Sequence, residues 1–310
     1  MSRLAHNEER KGAPLSTRPT ARLRELLSRP GAVMAPGVVD PLYARLVAKH
    51  GFEAMYMTGA GTSATRLGMP DIGLLTLTEM VDNAARIASV SDLPLIADAD
   101  NGFGGPFNVR RAVQEYERAG VAAIHLEDQV LPKRCGHLAG KQLISAPEMV
   151  AKIKAATDAR RDADFVLIAR TDAIAVEGFE RALERAEMYR EAGADVLFVE
   201  APGPHQLEAI NRRLNFPTLY NMATSGKTPF LKREEIEAYG FKIILYPNWL
   251  LLSAIKAAEG ALETLKREGT IASIAPDLPS FQEFFDLVGM QEVRALEARY
   301  GVPDAARTDY

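Results

Sequence analysis

A (β/α)8 barrel of the TIM type, with additional helices at its C-terminal end, is the fold that this 310-residue sequence predicts. Three observations predict it. Short apolar runs rich in Val, Ile and Leu recur about eight times between residues 32 and 247. Most lack period-two alternation, as strands covered on both faces do. Amphipathic stretches that end in glycine separate most of them. A doubly wound sheet would usually stop at five or six strands, so this number of units favours closure into a barrel.

In order, residues 1 to about 18 are rich in charge, Pro and Ser and read as a flexible arm. The first run is "AVMAPG" (32–37), followed by "EAMYMTG" (53–59) and by "PLIADAD" (94–100), which ends in two acids. In "NVRRAVQEYERAG" the residues Val109, Val113, Tyr116 and Ala119 fall near one helical face and Gly120 supplies the stop. "AAIHLED" (122–128), "FVLIART" (165–171), "DVLFVEA" (195–201), "PTLYNM" (217–222) and "KIILYP" (242–247) complete the series. From about residue 250, "WLLLSAIKAAEGALETLKREG" and "SFQEFFDLVGMQEVRALEARYG" read as helices beyond the barrel, and residues 19–310 are expected to form one domain.

A weak repeat nominates the mouth of the barrel. "GFEAMYMT", "GVAAIHLE", "GADVLFVE" and "GFKIILYP" each run from a helix-ending glycine through a strand. Counting along them from Gly51, Gly120, Gly193 and Gly240 lands on Thr58, Glu127, Glu200 and Pro247. Barrel enzymes place their chemistry at such strand ends. Helix-Gly-strand units recur in any α/β protein, so the residue types at those positions carry the argument.

Composition narrows the partners. A formal charge of -4 without a long basic run gives no electrostatic footprint for nucleic acid and no polybasic membrane signal. No apolar stretch approaches the ~18 residues of a membrane span. The single cysteine excludes an intrachain disulfide, and the charged N-terminus lacks the apolar core of a secretory signal. A cytoplasmic protein with a small-molecule partner is expected.

The strand ends supply chemistry. Asp98 and Asp100, one residue apart, with Glu127 and Glu200, would repel one another unless a hard cation neutralises them. Oxygen ligands held partly through water suit Mg2+ or Mn2+. Asp100 is the leading ligand, and the competing reading is that some of these acids pair with Arg170 and Lys133. Arg170 ends a buried strand, where it needs an anion: a substrate carboxylate, or else Asp172 or Glu200. Backbone N–H groups of Thr58, Gly59 and Ala60 suit a small carboxylate. "TGAGTSA" formally fits a dinucleotide fingerprint through Gly59, Gly61 and Ala64, but no acid closes a strand about 20 residues on. Cys135 sits in "LPKRCGHLAGK" among Lys133, Arg134, His137 and Lys141, a setting that favours thiolate and proton transfer. His125, inside a strand, reads as a hydrogen-bonded core residue.

Taken together, "DADNGFGG", "HLEDQ", "KRCGH" with a following Gly-Lys, and "IARTDA" resemble the isocitrate lyase/phosphoenolpyruvate mutase superfamily over residues 20 to 270. Within it the chain is most similar to carbon–carbon lyases acting on 2-hydroxy di- and tricarboxylates of the methylisocitrate and dimethylmalate type. The resemblance implies that Asp100 binds Mg2+ most directly, with Asp98, Glu127 and Glu200 acting partly through water. It implies that Tyr56, Thr58, Gly59, Ala60 and Arg170 orient the substrate and that Asn221 lines the pocket. Cys135 would protonate the departing carbanion, helped by Lys133, Gly136 and His137, and Tyr56 is one candidate for the base. A homotetramer that exchanges its C-terminal helices is also implied.

Two departures bear on substrate. "MATSGKTP" follows Asn221 with Ala223, Thr224 and Ser225 where an acidic residue is expected. Pro247 stands where oxaloacetate hydrolases of the superfamily generally carry Ser, so a lyase is favoured over an oxaloacetate hydrolase or decarboxylase, and both over a non-catalytic dicarboxylate-binding protein.

Overall fold

The computed structural model describes residues 18–136 and 140–308, so nearly all of the segment read as an arm, and His137, lie outside the described residues. Every apolar run supplies a strand: β1 (Val33–Val38), β2 (Met55–Met57), β3 (Leu95–Asp98), β4 (Ala123–Glu127), β5 (Val166–Thr171), β6 (Val196–Val199), β7 (Leu219–Asn221) and β8 (Ile243–Tyr246). All pair in parallel, in the order β6-β5-β4-β3-β2-β1-β8-β7. The remaining gap, between β6 and β7, is spanned by a parallel bridge from Leu197 to Thr218, and the Leu197 N–H donates to the Pro217 carbonyl at 2.9 Å. The predicted barrel is therefore what forms.

Helices α1 (Pro19–Ser28), α2 (Pro41–Lys49), α3 (Gly59–Leu67), α4 (Leu77–Ala88), α5 (Pro106–Arg118), α6 (Ala146–Ala159), α7 (Phe179–Glu191), α8 (Leu207–Leu214) and α9 (Arg233–Ala238) accompany the strands. On α5 the buried residues are Val109, Ala112, Val113 and Tyr116, the face its spacing predicts. The Tyr116 hydroxyl donates to the Asp98 carbonyl at 2.9 Å and so ties this helix to the end of β3.

Alternation along each strand divides the core into two layers. Val166, Ile168 and Arg170 of β5 face the same side. Val33, Ala35, Ile96, Val196, Phe198, Leu219 and Ile243 join the first two in an interior cluster. Leu23 and Leu26 of α1 belong to that same cluster, so this helix closes the floor of the barrel. Its start is held by ion pairs from Arg18 to Asp162 (2.8 Å) and Asp164 (2.7 Å). Leu167, Ala169 and their counterparts pack outward against the helices.

Beyond β8 the chain forms α10 (Trp249–Glu268), α11 (Phe281–Leu287) and α12 (Met290–Tyr300). The stretch read as one second helix is broken at Gly289, whose φ of 97° lies in the left-handed region that favours glycine. Trp249, Leu252, Ile255, Leu262 and Leu265 of α10 and Phe281 and Phe284 of α11 remain exposed.

Ile168 is fully buried inside the barrel. Ile168→Ala should cost about 2–5 kcal/mol of unfolding free energy, read from the midpoint and slope of a urea transition. An unchanged midpoint would contradict the interior packing.

Candidate active site

The C-terminal strand ends surround a cavity of about 70 Å3, room for a small acid rather than an extended nucleotide. Tyr56, Thr58, Ala60, Asp98, Lys133, Cys135, Gly136, Arg170, Glu200, Asn221 and Pro247 all line it, and so do Ala223, Thr224 and Ser225. Gly59, Asp100 and Glu127 are absent from its wall.

Local structure explains the first segment. Thr58 caps α3: its Oγ1 accepts from the Gly61 N–H at 3.3 Å and its hydroxyl donates to Asn248 Oδ1 at 3.0 Å. Gly59 lies behind, where a Cβ would stand 2.2 Å from Asp98 Oδ2. Glycine is what lets the start of this helix close on that carboxylate.

The four predicted ligands do not gather into one cluster. Among the described residues no group of three or more His, Cys, Asp or Glu side chains is placed to hold an ion directly. Cations stand among the acids instead, as the competing reading of the sequence has it. Lys133 Nζ lies 2.7 Å from Asp71 Oδ1 and 2.7 Å from Asp100 Oδ1. Arg170 grips Asp172 through Nε (2.9 Å) and Nη2 (3.1 Å) and lies 3.3 Å from Glu127 Oε2. Asp172 is held in turn: its N–H donates to Asp128 Oδ1 at 3.0 Å, while Asp128 Oδ2 accepts from Thr171 and Tyr189 at 2.7 Å.

Charge is nonetheless incompletely matched. Asp100 Oδ1 meets the Lys133 ammonium as an ion pair, and among the described residues that oxygen and Glu127 Oε1 are buried acceptors without a hydrogen bond. Burial raises the Asp100 carboxyl to about 7, against the pull of Lys133, and holds Glu127 well above the carboxylate range. Burial also opposes the charge on Asp98, but Lys133, Arg170 and the Asp100 N–H, which donates to Asp98 Oδ1 at 2.9 Å, outweigh it and hold that carboxyl low. Burial disfavours the Lys133 ammonium as well, and Asp100, Asp98, Glu127 and Asp71 more than compensate. Two orphaned oxygens in an all-oxygen donor set fit a hard divalent cation.

The segment carrying Cys135 is pinned at several points. Gln129 pairs with Leu143 in an antiparallel bridge, and its amide both accepts from the Arg134 N–H (3.0 Å) and donates to the Arg134 carbonyl (2.8 Å). The Cys135 N–H donates to the Asp71 carbonyl at 3.1 Å. Lys141 Nζ donates to the Gly136 carbonyl (2.5 Å) and to Asp172 Oδ1 (2.8 Å). A Cβ at Gly136 would stand 2.2 Å from Arg170 Nη2. His137, predicted to assist Cys135, lies outside the described residues.

Burial, then the charge of Asp98, holds the Tyr56 phenol well above 10, which favours the protonated hydroxyl and a donor over the base expected of it. His125 is buried as expected and lies 2.9 Å from the Tyr56 hydroxyl through Nε2. Burial lowers its imidazole to about 4.

Asp71 and Asn248 were not predicted, and both line the cavity. Asp71 enters from the segment after α3, and Asn248 follows the last strand. "MPDIG" has no strand pattern to mark it, whereas Asn248 directly follows the nominated Pro247.

A parallel barrel whose strand ends bring acids, buried cations and a cysteine around a small cavity defines an α/β-barrel enzyme with its site at the C-terminal mouth. The phosphoenolpyruvate phosphomutase family matches residues 23–266. A 2,3-dimethylmalate lyase of Eubacterium barkeri is 48% identical over 281 residues, 90% of this chain and 97% of that protein. A 2-methylisocitrate lyase of Aeropyrum pernix is 46% identical over 282 residues, 91% of each chain. Among solved structures, 2,3-dimethylmalate lyase in a trigonal crystal form aligns with a TM-score of 0.89 at 40% identity, covering 96% of this chain and 100% of that one. Oxaloacetate acetylhydrolase bound to 3,3-difluorooxalacetate aligns at 0.87 and 40% identity, over 95% and 99%. Phosphonopyruvate hydrolase with oxalate and Mg2+ aligns at 0.84 and 32%, over 91% and 99%. The chain belongs to the phosphoenolpyruvate mutase/isocitrate lyase superfamily.

Asp172 pins the Arg170 guanidinium, so a side chain at position 136 cannot push it aside cheaply. Gly136→Ala should therefore destabilise the fold by about 1–3 kcal/mol, read from a urea transition. An unchanged midpoint in that variant would show that the close approach of Gly136 to Arg170 is not required.

Proposed function

We propose that this chain is a divalent-cation-dependent carbon–carbon lyase. It cleaves a 2-hydroxy di- or tricarboxylate of the 2,3-dimethylmalate or 2-methylisocitrate type to pyruvate or another 2-oxo acid plus a carboxylic acid. The observation that carries this reading is that Cys135 lines the same cavity as Asp98, Arg170 and Glu200, although these side chains come from separate elements of the chain. A proton donor, a fixed guanidinium and acids thereby share one small volume.

Mg2+, or Mn2+, is the cofactor of this reading, with Asp100 as its direct ligand and Asp98, Glu127 and Glu200 acting partly through water. The orphaned oxygens of Asp100 and Glu127 support it. Such an ion would supply positive charge to the substrate hydroxyl and its adjacent carboxylate, easing loss of the hydroxyl proton. Arg170 and the first turn of α3, at Thr58, Gly59 and Ala60, hold the substrate carboxylates, and Tyr56 donates to a substrate oxygen. The hydroxyl proton passes to a carboxylate of the cavity wall, the hydroxyl carbon becomes the ketone as the carbon–carbon bond breaks, and the electron pair of that bond passes into the carboxylate of the departing fragment as an enolate. Cys135 delivers the proton to the α-carbon of that enolate, with His137 assisting, while Lys133 and the Gly136 backbone stabilise the charge. Asn221 and Pro247 shape the distal end.

The oxaloacetate acetylhydrolase alignment favours one second reading, hydrolysis or decarboxylation of oxaloacetate on the same site. Pro247, which has no hydroxyl to hold a hydrated ketone, weighs against it. The exposed apolar residues of α10 and α11 support a homotetramer that exchanges C-terminal helices. Residues 19–310 act in this reading as one domain of a cytoplasmic enzyme. None of the described helices is long and apolar enough to cross a membrane.

A pyruvate-release assay with Mg2+ on 2,3-dimethylmalate, 2-methylisocitrate and oxaloacetate tests the reading. Metal-dependent pyruvate from a hydroxy acid is expected, and oxalate from oxaloacetate would select the second reading. Cys135→Ser should lower turnover at least ~100-fold while oxalate affinity is retained, and wild-type turnover would remove the cysteine from the chemistry. Asp100→Ala should abolish metal-dependent activity. Because Asp100 titrates near 7, protons compete with the cation below that pH. Mg2+ affinity should therefore fall as the pH drops through 7, by at least about tenfold per pH unit below it, measured by calorimetry; a flat profile would exclude Asp100 as the titrating ligand.

A further inference from the structure

His125 lies behind the pocket wall, buried on β4, and has no place in the reaction scheme above. Its Nε2 is 2.9 Å from the Tyr56 hydroxyl and 3.7 Å from Asp98 Oδ1. Among the described residues its buried Nδ1 has no hydrogen-bond partner. The ring stacks on Tyr56 at 5.6 Å between centroids and meets Phe198 edge-on at 5.8 Å, so two aromatic rings flank it.

These contacts decide where the ring proton sits. A neutral imidazole has one N–H and one lone pair, and the two tautomers leave different groups stranded at Nδ1. With the proton on Nδ1, a buried donor has no acceptor, at a cost of roughly 1–3 kcal/mol. The imidazolium carries that same stranded donor. With the proton on Nε2, only a lone pair is left unfilled, and orphaned buried donors are the rarer case in folded proteins. The N–H then points at the Tyr56 oxygen, with the Asp98 carboxylate nearby to favour it.

We propose that His125 is a positioning residue: as the Nε2–H tautomer it donates to the Tyr56 oxygen and turns the phenol proton into the pocket, where it meets a substrate oxygen. Tyr56 has one hydroxyl proton, and a phenol that accepts from behind keeps that proton for the cavity it lines. The reverse tautomer would aim the same proton at the imidazole and present only a lone pair to the substrate. His125 thereby sets the polarity of Tyr56. The role in turnover rests on the lyase reading, but the tautomer does not.

The tautomer is read directly from long-range 1H–15N spectra of the full chain labelled at histidine, where protonated and unprotonated ring nitrogens differ widely in shift. The His125 signals are those moved by Tyr56→Phe, which keeps the ring and removes the hydroxyl. A protonated Nε2 with a bare Nδ1 is expected. A protonated Nδ1, alone or with Nε2, overturns the proposal whether or not any substrate is turned over. In the kinetic arm with 2,3-dimethylmalate, His125→Phe should lower kcat about 100-fold with KM little changed. His125→Gln, whose amide N–H reaches towards the same oxygen, should recover at least about tenfold of that loss, and His125→Phe combined with Tyr56→Phe should lose little more than either alone. Equal losses in the Phe and Gln variants, or additive losses in the double variant, would reduce His125 to packing. Absence of turnover in the wild-type chain, with the expected tautomer in place, would instead count against the lyase reading.

Discussion

Negative charge packed into a space that water barely enters is the constraint from which the rest of this barrel mouth follows. Asp98, Asp100, Glu127, Asp128, Asp172 and Glu200 are buried, whereas the buried bases among the described residues are Lys133, Lys152, Arg170 and Arg185. Adding Asp71 and Lys141, whose side chains are also largely covered, adds one charge of each sign. Six acids against four bases leave a deficit of two positive charges. Burial raises the carboxyls of Asp100 and Glu127 and so favours their protonated forms, and these also carry acceptors that lack a hydrogen bond among the described residues. A divalent ion would supply the same two charges without protons. The ion pairs are a condition for burying the acids, because removing one partner leaves an uncompensated charge at a cost of about 3–5 kcal/mol.

Much of this arrangement is legible in the sequence, and what is not has a physical reason. Strands buried on both faces read as unbroken apolar runs, and all of those runs became strands. Counting from the helix-ending glycines places Thr58, Glu200 and Pro247 on the cavity wall, because the β/α unit repeats its geometry at each strand. Pairwise electrostatics are harder to read. Arg170 has suitable acids at Glu127, Asp172 and Glu200, and only the folded backbone chooses the bidentate geometry on Asp172. Asp71 lies 62 residues from Lys133 in a segment without periodicity, so no local pattern announces their contact. The Tyr56–His125 pair is likewise invisible in one dimension, since it joins side chains on separate strands, 69 residues apart.

The relatives include lyases, hydrolases and a family typified by a mutase, which fits a scaffold whose electrostatics serve any reaction that places negative charge beside a carboxylate. Selectivity among such reactions then falls to the part of the wall that does not carry charge. About half of that part is formed by Asn221, Ala223, Thr224, Ser225, Pro247 and Asn248, which all come from the ends of β7 and β8 and the segments after them.

The two glycine contacts impose a further asymmetry. Positions 59 and 136 press against Asp98 and Arg170 so closely that any side chain collides with the charged framework. Adaptive change on that side of the pocket is therefore nearly closed. On the side formed after β7 and β8, the small residues Ala223, Thr224 and Ser225 line the cavity away from these two contacts. A lineage acquiring a new substrate would leave its imprint at 223–225 and 247–248 long before it touched the acids. The barrel mouth is in effect divided into a half that inherits and a half that experiments.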